Sequence, residues 1–514
     1  KQRTSAPPDM PKGPGGVIFR SNHGSVMQLR KAEDMFLEAR MCLEGKTTDG
    51  KPHPKDLNKA EGLLHEILNN NLGNDVVLYV LGSLYSERGQ HGLGIQILSW
   101  VVQHKPTFAE AWNNLGLAFR NAGQSDRAAN CLHEAIKHVQ TADLYSNVSG
   151  CYVNRGKPKF AKLYADKALA IDPNHVKARW HKALALLEGK EWAEAWDWHE
   201  SRLYGGANEN IAERNYAAEG KTPWWDGASG NLVVIHGEQG MGDEIMFSSC
   251  LPDAINTGVE IVFEPSPRLG RLFQRSFPKL RVHGTDKIDG AEWIEKFGRP
   301  DFKCGIGSLP KFYRRSAGAF PGTAYLVPDP EKKQSWGDKL KAIGHRPKIG
   351  IAWQGGVPST GVHLRSFHPK LYAPLFETGA DFISLQYDQT ARENVEDVQR
   401  DLGITIHHWP KAVEAADPDT KKPSNLDELA ALVSCLDLVI TVPQTVYHFA
   451  GAHGVPCWVL TPSEPDWRLG AEGDTVPWYE SVSLIRQEGR DWRPVIDEAA
   501  KRLRVFLHIE ATTA

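Results

Sequence analysis

The sequence predicts a chain in two parts, an all-α solenoid of helix-pair repeats followed by two doubly wound α/β domains. Up to about residue 204, small and large apolar residues recur with a period of about 34 residues. After residue 230, short β-branched runs alternate with helical segments. The 514 residues are enough for several buried cores, and a net charge of −3 gives no electrostatic reason to expect a nucleic-acid partner.

The first 27 residues and the cysteines bear on order and compartment. Residues 1–27 are rich in proline and glycine, which predicts an extended or disordered arm. Seven scattered cysteines form no CxxC pair, which favours free thiols in a reducing compartment. No apolar run approaches the roughly 20 residues of a membrane span. We therefore predict a cytoplasmic protein without such a span.

Helical repeats are predicted over residues 28–204. Small residues that allow close helix crossings recur 34 and then 33 residues apart, at Gly82, Gly116 and Ser149. This period is the tetratricopeptide signature, and about five repeats fit the segment. The last helix places Trp192 and Trp196 on one face. We predict that they cap the solenoid against the next domain, with an exposed sugar-stacking platform as the alternative.

A strand, a glycine turn and a helix open the first α/β domain, which we predict over residues 230–330 after a linker at 205–229. The strand is Leu232–His236, and the helix begins at Asp243. Free N–H groups at such a helix start favour a polar or anionic ligand. Further strands are predicted at Val259–Phe263, Arg281–His283 and Trp293–Ile294, with a loop at Asp301–Pro310.

The second α/β domain is predicted over residues 331–514. Its predicted strands are Lys348–Trp353, Asp381–Leu385, Thr405–His407, Leu438–Val442 and Cys457–Leu460. Its predicted helices are Pro369–Glu377, Ala391–Leu402, Leu426–Cys435, Gln444–His453 and Trp492 to about Ile509. Because this alternation produces parallel sheets, we expect two doubly wound domains that face each other across a cleft.

Several segments carry a resemblance to a known family. They are EWAEAWDWHESRLY, PWWDG, HGEQGMGDEIMF, SLPKF, IGIAWQGG, RSFHP, FISLQ, LDLVITV, HFAGAHGVPCWVL, PDWR and PWYESVSLIRQ. The α/β part resembles GT-B glycosyltransferases, in particular proteins that join tetratricopeptide repeats to a heptosyltransferase-like (family 9) domain. O-linked N-acetylglucosamine transferase is a more distant likeness. The resemblance implies a nucleotide sugar in the cleft, with no metal or other cofactor.

The resemblance implies that Asp243 is the catalytic base, because heptosyltransferases carry their base at this position. A carboxylate there can take the proton of an acceptor hydroxyl. A helix N-cap without a catalytic role is an equal alternative. Glu238, Gln239 and Gly242 are predicted to face the acceptor, and Glu238 and Glu244 are weaker candidate bases.

On the donor side, Arg365 and Ser366 end a glycine-rich loop. An arginine there can stabilise a leaving diphosphate, with a solvated surface arginine as the alternative. The other predicted donor contacts end strands or begin a helix: Trp353, Gln354, Gln386, Gln444, Thr445 and His448. His448 is equally well explained as a core histidine. Asp466-Trp467-Arg468 is expected to face the cleft from the second domain, with simple packing as the alternative for Trp467. Relatives commonly have Asp-Thr where this chain has Pro443-Gln444.

Two functions remain open. The favoured function is transfer of a sugar from a nucleotide diphosphate donor to a protein or glycan acceptor. The repeats would engage a protein partner, and the resemblance implies that Asn114 and Asn147 line a peptide groove. The alternative is a non-catalytic interaction protein with a degenerate transferase module, which the Pro443-Gln444 departure favours. No histidine spacing predicts a metal site.

Overall fold

The computed structural model describes residues 26–70, 74–203, 214–217, 220–286, 290–356, 362–388, 390–413 and 426–513. The chain divides into two compact units, Lys1–Tyr152 with Leu163–Ala178 and Val153–Lys162 with Arg179–Ala514. Nearly all of the predicted arm and much of the 205–229 linker lie outside the described residues. The predicted domain boundaries at residues 204, 229 and 330 stay predictions.

The helical part forms consecutive helix pairs, as the 34-residue period predicts. Its helices are α1 (Val26–Glu44), α2 (Leu57–Asn69), α3 (Asp75–Glu87), α4 (His91–His104), α5 (Ala109–Asn121), α6 (Ser125–His138), α7 (Ala142–Asn154), α8 (Pro158–Ile171), α9 (Val176–Glu188) and α10 (Trp192–His199). A Cβ at Gly82 would lie 2.9 Å from the Leu98 side chain, and one at Gly116 would lie 2.8 Å from Leu132. The small residues therefore recur because two helices touch there.

The tryptophans of α10 are core residues of the second unit. Trp192 and Trp196 are 6% and 1% exposed. The indole N–H of Trp196 donates to the carbonyl of Arg314 at 2.9 Å, and its ring meets Trp467 edge to face. An exposed sugar-stacking platform at these residues is therefore wrong, and the packing interpretation describes them.

A four-stranded parallel sheet follows, with strand order β3-β2-β1-β4. Its elements are β1 (Leu232–His236), α11 (Met241–Ser248), α12 (Leu251–Asn256), β2 (Glu260–Glu264), α13 (Gly270–Ser276), β3 (Arg281–Val282), β4 (Phe302–Gly305) and α14 (Leu309–Tyr313). Two sequence predictions are wrong here. Residues Trp293–Ile294 lie in a 3-10 helix, and β4 occupies the predicted loop, where buried Lys303 interrupts the apolar pattern.

The second sheet has seven strands in the order β10-β11-β9-β8-β5-β6-β7, parallel except for the β10–β11 pair. Its elements are α15 (Pro330–Ile343), β5 (Lys348–Ala352), α16 (Ala373–Phe376), β6 (Asp381–Ser384), α17 (Ala391–Leu402), β7 (Ile406–His407), α18 (Pro410–Val413), α19 (Asp427–Val433), β8 (Leu438–Thr441), α20 (Thr445–His453), β9 (Cys457–Thr461), β10 (Thr475–Val476), β11 (Tyr479–Arg486) and α21 (Arg493–Thr513). The sequence predicted neither α15 nor the β10–β11 pair. The parallel strands β7-β6-β5-β8-β9-β11 have the 3-2-1-4-5-6 order of a dinucleotide-binding sheet.

Each sheet has one point where the strand order reverses. The first switch point lies between β1 and β4, and the second lies between β5 and β8. Open parallel sheets bind ligands in the crevice beyond the carboxyl ends of the strands at such a point. The two switch points are therefore the places to look for a site.

Two further features are the state of the cysteines and the apolarity of the helices. All seven cysteines are free, and only Cys435 among them is not fully buried. No helix among the described residues has both the length and the apolarity that a membrane crossing needs.

Candidate functional site

The first switch point is filled by a buried ion pair. Glu238 follows β1 and is 1% exposed. Its carboxylate accepts from Arg202 Nε at 3.0 Å and Nη2 at 2.7 Å, and from the backbone N–H of Gly307 at 2.6 Å. Burial favours the neutral acid, but Arg202 outweighs burial and holds the pKa of Glu238 below its usual value. Glu238 thus makes its hydrogen bonds within the protein, and its predicted contact with an acceptor stays a prediction.

Arg202 lies just after α10 and completes this filling. Its Nη1 donates to Glu200 at 2.6 Å, and its Nη2 donates to Ser308 Oγ at 2.7 Å. Ser308 Oγ donates in turn to Glu200 at 2.8 Å. Glu244, the other weak candidate base, is 3% exposed and accepts from the backbone N–H of Ser266 at 2.9 Å. Glu238 is thus engaged within the protein, whereas Glu244 lines a cavity described below and stays a weaker candidate base.

Asp243 lies in the first turn of α11, three residues after Gly240, which is the N-cap residue of that helix. Its Oδ2 accepts from the backbone N–H of Gly240 at 3.3 Å, which caps α11. Its Oδ1 accepts from Arg468 Nε at 2.7 Å. Arg468 belongs to the loop after β9, so this ion pair joins the two sheets. The carboxylate, 15% exposed, thus lies where the two sheets meet, and its role as base stays a prediction.

Gln239 and Gly242 shape the meeting of the two sheets. Gln239 adopts a left-handed backbone with φ of 63°, which costs a non-glycine residue on the order of 1–3 kcal/mol. Its Oε1 accepts from Arg468 Nη2 at 3.3 Å. A Cβ at Gly242 would lie 2.8 Å from His448, so the start of α11 touches α20 directly. Gly242 therefore allows this close approach, and acceptor contact by either residue stays a prediction.

The second switch point presents the start of α20. Its N-cap residue, Gln444, makes no side-chain cap and is 8% exposed. The Gln444 Nε2 donates to Thr441 Oγ1 at 3.3 Å, whereas its Oε1 is buried without a partner among the described residues. Thr445 opens the helix. Because no side chain caps this end, its free N–H groups favour an anion.

Arg365 and Ser366 lie beside this helix start. The Arg365 side chain is 17% exposed, with Nη1 3.8 Å from Asp466 Oδ2. This burial contradicts the alternative of a solvated surface arginine. The Ser366 hydroxyl is buried and has no partner among the described residues. Backbone pairing joins Ser366 to Gln354, which fixes the end of the glycine-rich loop against β5.

Gln386 and Trp353 hold strand ends together, and their predicted contacts with the donor stay predictions. Gln386 is 1% exposed, and its Oε1 accepts from the backbone N–H groups of Trp353 at 3.0 Å and Gln354 at 3.1 Å. Its Nε2 donates to the Gln354 carbonyl at 3.0 Å. Trp353 is fully buried in the core beneath the sheet end. Gln354 takes part in these hydrogen bonds through its backbone N–H and carbonyl groups.

His448 is a core histidine. It is 4% exposed, and its Nδ1 lies 3.0 Å from the Tyr479 hydroxyl. Burial, with Arg468 nearby, lowers the pKa of His448 well below its usual value. The neutral imidazole therefore packs α20 against β11, as the core interpretation expects, and a donor contact by His448 stays a prediction.

Asn114 and Asn147, which were predicted to line a peptide groove, form hydrogen bonds within the repeats. Asn114 is 7% exposed, and its amide donates to the Tyr79 hydroxyl at 3.1 Å and to Ser83 Oγ at 2.8 Å. The Asn147 amide donates to Asn113 Oδ1 at 2.9 Å. Asn114 thus joins α5 to α3 within the repeats, and its place in a peptide groove stays a prediction. Asn147 is half-buried, and its groove role stays a prediction.

Two features of this region were not foreseen from the sequence. One is the pairing of Arg468 with Asp243, since the sequence only predicted that Asp466-Trp467-Arg468 faces the cleft. The other is a cavity of about 550 Å³ at the carboxyl ends of β1, β2 and β3. Met241, Pro265, Pro267, Arg268 and Asp286 are among its lining residues. No sequence pattern indicated that these segments surround one space.

The comparisons with known proteins give two kinds of likeness. The tetratricopeptide repeat model matches residues 109–137, which covers α5 and most of α6. Protein FlbA of Caulobacter vibrioides is 29% identical over 452 residues, which cover 78% of this chain and 74% of FlbA.

Three solved structures illustrate the structural likeness. A family 9 glycosyltransferase from Veillonella parvula is 12% identical, covers 59% of this chain and 100% of its own, and has a TM-score of 0.41. The E. coli ADP-heptose heptosyltransferase II is 14% identical, with coverages of 54% and 99% and a TM-score of 0.40. MamA is 26% identical, with coverages of 29% and 87% and a TM-score of 0.27. The helix pairs, the repeat match and the two strand orders confirm the predicted architecture, a tetratricopeptide solenoid followed by a GT-B-like pair of parallel-sheet domains.

Proposed function

We propose that this protein transfers a sugar from a nucleotide diphosphate donor to a protein or glycan acceptor, with its active site between the two sheets. One observation carries the proposal. The uncapped start of α20, with oxygens of Gln444 and Ser366 that have no partner among the described residues, lies against the start of α11, which carries Asp243. An anion site thus adjoins a carboxylate that can act as a base.

The donor diphosphate would occupy the start of α20. The backbone N–H groups of Thr445 and Val446 and the guanidinium of Arg365 would stabilise the negative charge of the leaving group. Because these groups can supply the charge, the proposal needs no metal. The absence of a metal requirement stays a prediction.

The acceptor would enter through the 550 Å³ cavity, whose lining includes Gln239, Gly240 and Met241 just before Asp243. An acceptor hydroxyl oxygen attacks the anomeric carbon of the sugar, and the bond from that carbon to the diphosphate oxygen breaks. The bonding pair leaves with the nucleoside diphosphate, and Asp243 takes the hydroxyl proton. The tetratricopeptide repeats would bring a protein acceptor or partner to the chain.

The test is turnover and binding with a panel of nucleotide sugars and of candidate glycan and protein acceptors. Release of nucleoside diphosphate is expected with one of these donors. Asp243→Asn should lower turnover by about 100-fold or more, the range of a lost general base, and still bind donor. Asp197→Asn is the matched control, because Asp197 forms an exposed ion pair with Arg315. Absence of both donor binding and turnover would contradict the proposal.

A non-catalytic interaction module is the second candidate. The Arg468 ion pair occupies one oxygen of Asp243, and Pro443-Gln444 replaces a pair common in the family. On this reading the cleft binds a nucleotide or nothing, and the repeats do the work. Tight nucleotide binding with no turnover across the panel would favour it.

A further inference from the structure

Arg468 occupies a central place among the charges between the two sheets. Its Nε donates to Asp243 at 2.7 Å, its Nη2 donates to Gln239 at 3.3 Å, and its Nη1 lies 3.7 Å from Asp466. Its side chain is 17% exposed, so the guanidinium is largely shielded from water but still reachable. Neither the sequence nor the family resemblance assigned it a role.

The loop that carries Arg468 is anchored, and its guanidinium lies at the end of a long side chain. The neighbouring Trp467 is 6% exposed and packs against Phe247 and Trp196. The guanidinium lies 4.6 Å from the centre of the Trp467 ring. A rotation of the side chain can therefore redirect the charge while the loop backbone stays in place.

The charges around Arg468 balance in this structure. Arg468 pairs with Asp243, and Arg365 lies 3.8 Å from Asp466, which also approaches Arg468. A diphosphate at the start of α20 would add about two negative charges to this neutral group. Arginine binds phosphate through paired N–H groups, whereas the aspartates repel it. A diphosphate and Asp243 must therefore compete for Arg468.

We propose that Arg468 is a further ligand of the donor diphosphate and that, until the donor binds, Arg468 stays paired with Asp243. This inference rests on the proposed function. When the diphosphate arrives, Arg468 turns toward it and leaves Asp243 Oδ1 for the acceptor hydroxyl. The donor must then bind before Asp243 can act as a base, which restricts proton removal to the loaded cleft.

The test measures binding of UDP, GDP, ADP and CDP by calorimetry to the full chain and its variants. Asp243→Asn removes the competitor, so it should tighten binding of the preferred nucleoside diphosphate by about five- to tenfold. Arg468→Gln should weaken that binding by about tenfold or more. In the double variant, Asp243→Asn should give no gain. Asp197→Asn, at an exposed arginine pair, should leave the affinity unchanged.

The outcomes distinguish the proposed role of Arg468 from the proposed function of the protein. If the wild type binds a nucleoside diphosphate but Asp243→Asn does not tighten binding, the role of Arg468 is overturned and the proposed function stands. If Asp243→Asn tightens binding equally without Arg468, general charge removal explains the gain and the assignment is overturned. If no variant binds any of the four, both proposals fail. Arg468→Lys keeps the positive charge but lacks the paired N–H groups of arginine. An affinity between those of the wild type and Arg468→Gln would show that the weaker binding does not come from misfolding.

Discussion

The two switch points of this chain lie at the same place in the strand order of their sheets, but they carry different side chains. At the first, Glu238 and Arg202 fill the crevice, and their hydrogen bonds are made within the protein. At the second, the start of α20 has no side-chain cap, and Gln444 and Ser366 each carry a buried oxygen without a described partner. The fold offers a crevice at both places, and side chains decide which one is closed.

This difference separates stability from binding. A buried, fully paired charge network fixes local structure, whereas buried polar atoms without partners cost free energy until something satisfies them. The first switch point therefore has no need of a ligand. The second is the place where a polar ligand would repay the cost.

The largest expected effect comes from breaking the filled switch point. Arg202→Met would leave the carboxylates of Glu238 and Glu200 without their buried partner. We expect a loss of about 3–5 kcal/mol in the free energy of unfolding, measured by denaturant titration with tryptophan fluorescence. Arg315→Met, which breaks the exposed pair with Asp197, should cost about 0–1 kcal/mol. Equal losses in both variants would show that the first switch point is not held by this pair.

A second buried glutamate tests the same contrast through pH. Glu188, at the end of α9, is 3% exposed, and neither carboxylate oxygen has a partner among the described residues. Burial, with Asp466 nearby, raises the pKa of Glu188 well above its usual value, the opposite of Glu238. The folded state thus keeps a proton on Glu188 that the unfolded chain releases above about pH 4.3. Stability from this group is full below that pH and is lost as pH rises toward the folded pKa.

Glu188→Gln removes this penalty. We expect it to raise the free energy of unfolding at pH 7–8 by about 1–3 kcal/mol and to change it little at pH 4. Glu238→Gln should instead lower the free energy of unfolding at pH 7–8, because the folded pKa of Glu238 is lowered. Its contribution is full above about pH 4.3 and is lost as pH falls through the folded pKa. Denaturant titrations across this pH range check both. The same pH profile for the two variants would remove the distinction between paired and unpaired buried carboxyls.

The sequence predicted the architecture more closely than the site. Periodicity predicted the helix pairs and most strands, because those patterns are local. Strand β4 was not predicted because the charged residue Lys303 interrupts its apolar pattern. Gln386 was assigned to the donor because it ends a strand at a crevice, the usual position of ligand contacts, and Glu238 was assigned to the acceptor because it precedes the tight turn. Their burial depends on Arg202, Gln354 and other groups distant in sequence, which no local pattern reports. Arg468 was expected at the cleft, but its partner Asp243 lies 225 residues away, so the sequence did not predict the ion pair.

The smallest expected effect concerns a single hydroxyl at the open switch point. Ser366→Ala removes a buried Oγ that has no partner among the described residues, so the free energy of unfolding should rise by about 1 kcal/mol. Ser276→Ala is the matched control, because Ser276 Oγ donates to Leu272 and accepts from Val327, and its loss should cost about 1 kcal/mol.

Nucleotide binding should reverse that ranking. A hydrogen bond to a charged phosphate contributes about 1.5 kcal/mol or more, so Ser366→Ala should weaken binding of the preferred nucleoside diphosphate by about tenfold, whereas Ser276→Ala should leave it unchanged. Calorimetry on both variants measures this difference. If Ser366→Ala binds the nucleotide as tightly as the wild type, the unpartnered hydroxyl is a packing defect, and the ligand site at the second switch point must rest on the start of α20 and Arg365 alone.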